Sequence, residues 1–283
     1  MKTILKISLL LLLALSLALQ GCQKKASDDS NDDGAPTVSN KVQHYHSSME
    51  YAYSTSVNEE ILKTELSADY LVLANKSHAL GDGYIPSELV ELTCPTNYGK
   101  KIELNRRAAE ALYLMLEEMC AAGVTDLLVT SGYRSYQYQT SLFNQYLKDE
   151  SASITANAIA CFGMEYIQKN YLDRGLEVLS AKDAKTVVLS YSAYPGTSEH
   201  QTGLCVDFIT STMTELDTTF ANTEAFAWLS SNAYRFGFIL RYPEGKEEVT
   251  GYTYEPWHYR FVGREAATDI YFGNITLEEY LAD

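Results

Sequence analysis

The sequence predicts an α+β fold with a largely antiparallel central sheet. Three observations predict it. One segment, Asn105 to Ala122, repeats its apolar residues at helical spacing. Several short strand-like runs stand apart from it. Helices and strands are mixed along the chain without the steady strand–helix–strand alternation of a parallel sheet.

Taken in order, Tyr70–Leu73 is a short strand-like run. In Asn105–Ala122 the residues Ala109, Leu112, Met115 and Met119 line one helix face, and Gly123 is the expected C-cap. Asp126–Thr130 reads as a strand ended by Ser131 and Gly132, and Ser135–Leu147 as a second helix. Residues 150–190 continue a helical pattern without identifiable chemistry. Leu204–Thr210 reads as a strand, and Thr223–Phe236 as an amphipathic helix closed by Gly237. Phe238–Tyr242 and Pro256–Val262 read as strands, and Thr276 to Glu279 forms a capping box that opens a last short helix.

The N-terminus points to export. Lys2 and Lys6 precede an almost unbroken apolar run from Ile7 to Leu19, and Gly21-Cys22 follows as the end of a lipobox. The run is too short to span a bilayer, which fits a cleaved signal. The expected division is a signal peptide over 1–21, a lipidated Cys22 with an acidic tether to residue 48, and a folded domain over 49–283. The tether holds Asp28, Asp29, Asp32 and Asp33 and has no apolar period, so it cannot bury enough surface to offset its ordering entropy. Acyl chains on Cys22 would anchor the protein to the outer side of the cell membrane. Oligomeric state is not legible at this level.

The net charge is −15, and more negative still without Lys2 and Lys6. Nucleic acid is therefore excluded as a bulk-charge partner, and an anionic substrate group must meet a local cation. Cys94, Cys120, Cys161 and Cys205 remain beyond Cys22, either as buried small residues or as disulfides, with no CxxC pair to suggest a zinc knuckle.

The chemistry starts from five histidines. His44 and His46 fall in or beside the tether, which offers too few further ligands for a metal centre. His78 sits in a polar loop-like stretch. His200 precedes a strand that contains Asp207, with Gly203 allowing a turn between them. Glu255-Pro256-Trp257-His258 offers a second carboxylate and imidazole on an extended or turn segment. A catalytic zinc needs three N or O ligands and an open position, together with a free carboxylate to take a proton from water. His200, Asp207, His258 and Glu255 supply those groups, although the residue types alone leave the roles of Asp207 and Glu255 interchangeable. Arg134, at a turn between a strand and a helix, is a fixed cation able to grip a carboxylate or an oxyanion.

Four ordered motifs complete the pattern: Ser131–Ser135, Pro195–Asp207, Gly237–Pro243 and Thr250–Arg260. Together they resemble the VanY-type D-alanyl-D-alanine carboxypeptidases, zinc peptidases of the bacterial wall, from about Tyr70 to the end of the chain. The resemblance implies the compact α+β fold of that family and one zinc per chain on His200, Asp207 and His258. It implies Glu255 as general base and Arg134 on the substrate carboxylate or oxyanion. It places Ser198 and Gln139 in the substrate pocket, and it makes a peptidoglycan stem peptide the substrate. Cys205 stands where the family usually has alanine. The rival readings are an L,D-carboxypeptidase acting on tetrapeptide stems and a non-catalytic wall-binding lipoprotein. Loss of Glu255 would have marked the latter.

Overall fold

A computed structural model describes residues 42–63, 68–170, 172–175 and 181–282. The signal segment, Cys22 and most of the expected tether lie outside the described residues. The helices are α1 (Glu59–Leu62), α2 (Arg106–Ala121), α3 (Tyr136–Phe162), α4 (Met164–Asn170), α5 (Ala181–Tyr191), α6 (Glu224–Asn232), α7 (Glu247–Thr250), α8 (Arg264–Gly273) and α9 (Leu277–Leu281). The strands are β1 (Leu89–Glu91), β2 (Glu103–Asn105), β3 (Leu127–Ser131), β4 (Cys205–Thr210), β5 (Phe238–Leu240) and β6 (His258–Phe261).

β1 and β2 form a small antiparallel pair. The main sheet is antiparallel in the order β3-β4-β6-β5, as expected for α+β. Strand alternation gives this sheet two different faces. Val206, Phe208, Tyr259, Phe261 and Phe238 turn to one side, where they join Leu112, Met115 and Met119 of α2 in the main core. Cys205, Asp207, His258, Arg260 and Ile239 belong to the other side, and every residue of β4 is buried. A polar face buried this deeply must satisfy its charges internally.

The helix caps follow the sequence closely. Asn105 caps α2 by accepting from the backbone N–H of Arg107 and Ala108. Ser135 caps α3 through Tyr138 N. Thr276 and Glu279 make the expected reciprocal box at α9. Gly237 ends the segment begun at Thr223 in the left-handed region, at φ 84°.

Four expectations need correction. Tyr70–Leu73 is a turn and irregular segment; the carbonyls of Tyr70 and Val72 accept from Arg260 Nη2 at 2.9 and 2.8 Å and serve no strand partner. The second helix runs on to Phe162, because no glycine or proline interrupts it before Gly163. The folded body begins before residue 49: Tyr45–Ser48 forms a 3₁₀ turn against α8, with Tyr45 packed on Phe272. Cys94, Cys120 and Cys205 are free thiols, and the side chain of Cys161 lies outside the description.

Candidate metal and active site

Ser131 of β3 pairs with Asp207 of β4, which pairs with His258 of β6, so three neighbouring strands present one row of polar residues. A register shift between Val129 and Ser131 adjusts the end of β3 at this row. His200 enters from the 3₁₀ turn Glu199–Thr202, which Gly203 closes at φ 68°. A Cβ on Gly203 would lie 3.0 Å from Leu89, so both the turn and the close approach call for glycine.

The turn after β3 and the turn at His200 lock together. His200 Nδ1 donates to Gly132 O at 2.7 Å, and Arg134 N donates to His200 O at 3.0 Å. A Cβ on Gly132 would lie 2.6 Å from Glu103 O, so only glycine lets this carbonyl sit there. With its Nδ1 engaged, His200 presents Nε2 to Asp207 Oδ2, 3.1 Å away.

His258 is held from the opposite side. Its Nδ1 faces Asp207 Oδ1 at 2.9 Å, and its Nε2 faces Glu199 Oε2 at 3.5 Å. Glu199 Oε1 accepts from Arg241 Nε at 2.7 Å and Arg260 Nη1 at 2.8 Å, and both arginines are fully buried. Arg241 also grips Glu278 with two further bonds. Burial opposes charge on Glu199, but the two guanidinium groups hold its carboxyl below the usual range.

Two imidazole nitrogens thus converge on one buried carboxylate. Burial also works against charge on Asp207, yet His200 and His258 hold it well below the ordinary range. Burial and Arg134 push His200 down, while Asp207 and Cys205 more than reverse this and raise it to about 9. The cluster therefore attracts positive charge. A divalent cation can replace the protons on both imidazoles, and the orientation of each ring by its far nitrogen is what metal-binding histidines require. The donor set fits zinc.

Cys205 adds a sulfur within 4.8 Å of the nitrogens of His200 and His258. Burial pushes its thiol up, but the two imidazoles bring it down to about 7. Asp207 offers the other candidate third donor, with Oδ2 3.1 Å from His200 Nε2 and Oδ1 2.9 Å from His258 Nδ1.

Glu255 Oε2 stands 3.8 Å from His258 Nδ1. Burial raises its carboxyl to about 7, with His258 opposing and Asp207 adding to the rise. Arg134 Nε donates to Ser131 Oγ at 3.0 Å and Nη2 to Asp207 Oδ2 at 3.1 Å. Arg134, Ser198, His200, Asp207, Glu255 and His258 all line one cavity of about 290 Å³. Its walls include Leu142 and Tyr146 of α3, Tyr191 of α5, and Trp257.

The comparisons with known proteins agree with this geometry. Residues 101–264 match the family model described as VanY, D-alanyl-D-alanine carboxypeptidase. The chain belongs to the VanY family. It is 37% identical over 214 residues to YodJ of Bacillus subtilis, covering 74% of this chain and 66% of YodJ. It is 37% identical over 211 residues to a D-alanyl-D-alanine carboxypeptidase of Enterococcus faecalis, covering 75% of this chain and 65% of the relative. The chain thus spans just under two thirds of the length of these relatives. Among solved structures it resembles the LD-carboxypeptidase LdcB, with a TM-score of 0.57, 36% identity and coverage of 74% of this chain and 84% of LdcB. It also resembles VanY D,D-pentapeptidase from a VanB-type resistance cassette in complex with Zn(II), with a TM-score of 0.55, 34% identity and coverage of 75% and 99%. VanYB in complex with D-alanine-D-alanine gives a TM-score of 0.55 and 34% identity, with coverage of 75% and 97%.

Within this VanY fold, one expected pocket residue takes another post. Gln139 Nε2 donates to Ala193 O at 2.8 Å, and the side chain is buried away from the cavity lining. It ties α3 to the segment that leads to Ser198. Among the described residues none from 150–190 lines the cavity; this part of the wall comes from Leu142 and Tyr146 of α3 and from Tyr191 to Ala193. The Glu199–Arg241–Arg260 group was not foreseen. Its one sequence signal is the presence of Glu199, Arg241 and Arg260 inside motifs already singled out.

Proposed function

We propose that the chain is a zinc-dependent D,D-carboxypeptidase that removes the C-terminal D-Ala of peptidoglycan stem peptides. The observation that carries this reading is the convergence of His200 Nε2, Asp207 and His258 Nδ1 beside Glu255 and Arg134 in one cavity. Zinc held by those three residues would supply Lewis acidity and lower the pKa of a water toward neutrality. Glu255, buried and raised to about 7, would take a proton from the attacking water and return it to the leaving amine. Arg134 receives the free carboxylate of the substrate or the developing oxyanion. Tyr146, Tyr191 and Trp257 exclude water around the scissile bond. The likeness to VanYB in complex with D-alanine-D-alanine supports this choice of substrate.

A second reading, cleavage of D-Ala from a tetrapeptide stem, is favoured by the likeness to LdcB. Both substrates end in D-Ala with a free carboxylate, so Arg134 serves either. The experiment is to offer pentapeptide and tetrapeptide stems separately and compare kcat/KM. We expect at least a tenfold preference for the pentapeptide, which is about 1.4 kcal/mol of differential transition-state binding. An equal preference for the tetrapeptide would exchange the substrate and leave the zinc chemistry in place.

The same proposal makes the protein a lipoprotein anchored through Cys22 on the outer face of the cell membrane. The support is the charged, apolar and Gly21-Cys22 sequence of the N-terminus. Cys22→Ala is expected to abolish fatty-acid labelling and release the protein from membranes; persistent labelling would overturn the anchor.

A further inference from the structure

We propose a second zinc site, formed by His44, His46 and Asp269, that fastens the segment after the tether onto α8. The sequence offers only the two histidines here. The fold brings a third donor from more than two hundred residues away. His44 Nδ1 and His46 Nδ1 stand 3.0 and 2.7 Å from the same oxygen, Asp269 Oδ2. His46 N donates to Asp269 Oδ1 at 2.9 Å, which orients the carboxylate. All three ligand atoms lie within 4.8 Å of one another.

The arrangement repeats the pattern of the catalytic centre, where His200 and His258 approach Asp207 at 3.1 and 2.9 Å. It also has the same electrostatic need. The side chain of Asp269 is 0% exposed, yet its ion-pair partners among the described residues are the two histidines, with no lysine or arginine. A buried carboxylate requires a cation or a full set of donors. Two imidazoles and one carboxylate form a ligand set that suits zinc and leaves a coordination position open. That position is reachable from solvent, because His44 is 63% exposed and a cavity of about 410 Å³ opens beside His46. The site adds no step to catalysis. Its effect is to clamp the segment around His44 and His46 to the helix that follows β6.

The test uses the purified full chain in two backgrounds. Metal-free His200→Ala protein, impaired at the catalytic centre, is titrated with Zn²⁺ and followed by calorimetry and thermal unfolding. We expect binding of about one zinc per chain and a rise in Tm, as for a three-ligand site that binds only the folded state. Adding His44→Gln and His46→Gln should remove both signals. Those positions are at least partly exposed, so the variant should fold. In the wild-type catalytic background the same pair of substitutions should lower zinc content from two to one per chain and leave peptide hydrolysis unchanged. The proposal is overturned if the His200→Ala protein binds no zinc, or if its binding and Tm rise survive the double substitution.

Discussion

Glu199 stands directly behind His258, with its Oε2 3.5 Å from the Nε2 of the imidazole. The carboxylate faces Nε2 while Nδ1 is engaged by Asp207 Oδ1 at 2.9 Å, so the ring is held from both sides. Arg241 and Arg260 fix Glu199 in turn. Glu199→Gln should lower zinc affinity by about 10- to 100-fold, the usual scale for a partner of a metal-binding histidine. It should also destabilise the fold by several kcal/mol, on the order of 3 to 5, because two buried guanidinium groups lose their shared carboxylate. Competition with a zinc-binding dye and urea unfolding read the two effects. Unchanged zinc affinity in a folded variant would remove Glu199 from the support of the metal.

Glu255→Gln keeps size and polarity but cannot accept a proton. Zinc content should be retained while kcat falls at least about a hundredfold. Activity near that of the wild type would assign the base elsewhere, with Asp207 the first residue to examine.

Cys205 presents a sulfur to His200 and His258, but the proposed set of His200, Asp207 and His258 supplies three ligands without it. Cys205→Ala should therefore retain the catalytic zinc and keep kcat/KM within about threefold, under about 1 kcal/mol. Loss of that zinc, measured by elemental analysis, would make the sulfur a ligand.

Glu118 on α2 accepts from the backbone and hydroxyl groups of both Ser54 and Thr55. Burial opposes its charge, but these four donors lower its carboxyl from 4.5 to about 2. A depressed folded-state value means stability that is full above pH 4.5 and fades as pH falls toward about 2. In metal-free protein Glu118→Gln should cost on the order of 3 kcal/mol at pH 7, and the gap to wild type should narrow by about 2 kcal/mol at pH 3. Urea unfolding at both pH values measures it. A gap independent of pH would show that the four donors do not favour the charged form.

The candidate site residues were legible because they sit in short local motifs. A glycine between His200 and Asp207, and a proline before Trp257-His258, announce turns at the ends of strands, where the structure has them. Helix ends were legible for the same reason, since Asn105, Ser135 and Thr276 cap through bonds to residues two or three positions on. What escaped depends on partners distant in sequence. Tyr70–Leu73 has strand-like composition, but the guanidinium of Arg260 takes its carbonyls. Gln139 lies on the right helix, but the side chain spends its donor on Ala193 O. His44 and His46 looked solvated because Asp269 cannot be seen from their neighbourhood in the chain.

The central claim is a metal-dependent cleavage of one terminal residue, and mass spectrometry of a pentapeptide stem tests it most directly. The peptide is incubated with the purified protein as isolated, after exhaustive chelation, and after zinc is returned. We predict loss of a single C-terminal D-Ala in the first and third samples and an intact peptide in the second. Undiminished cleavage by the metal-free protein would contradict the assignment of His200, Asp207 and His258 as a catalytic zinc centre, and an intact peptide with the zinc-loaded protein would contradict the pentapeptide as its substrate.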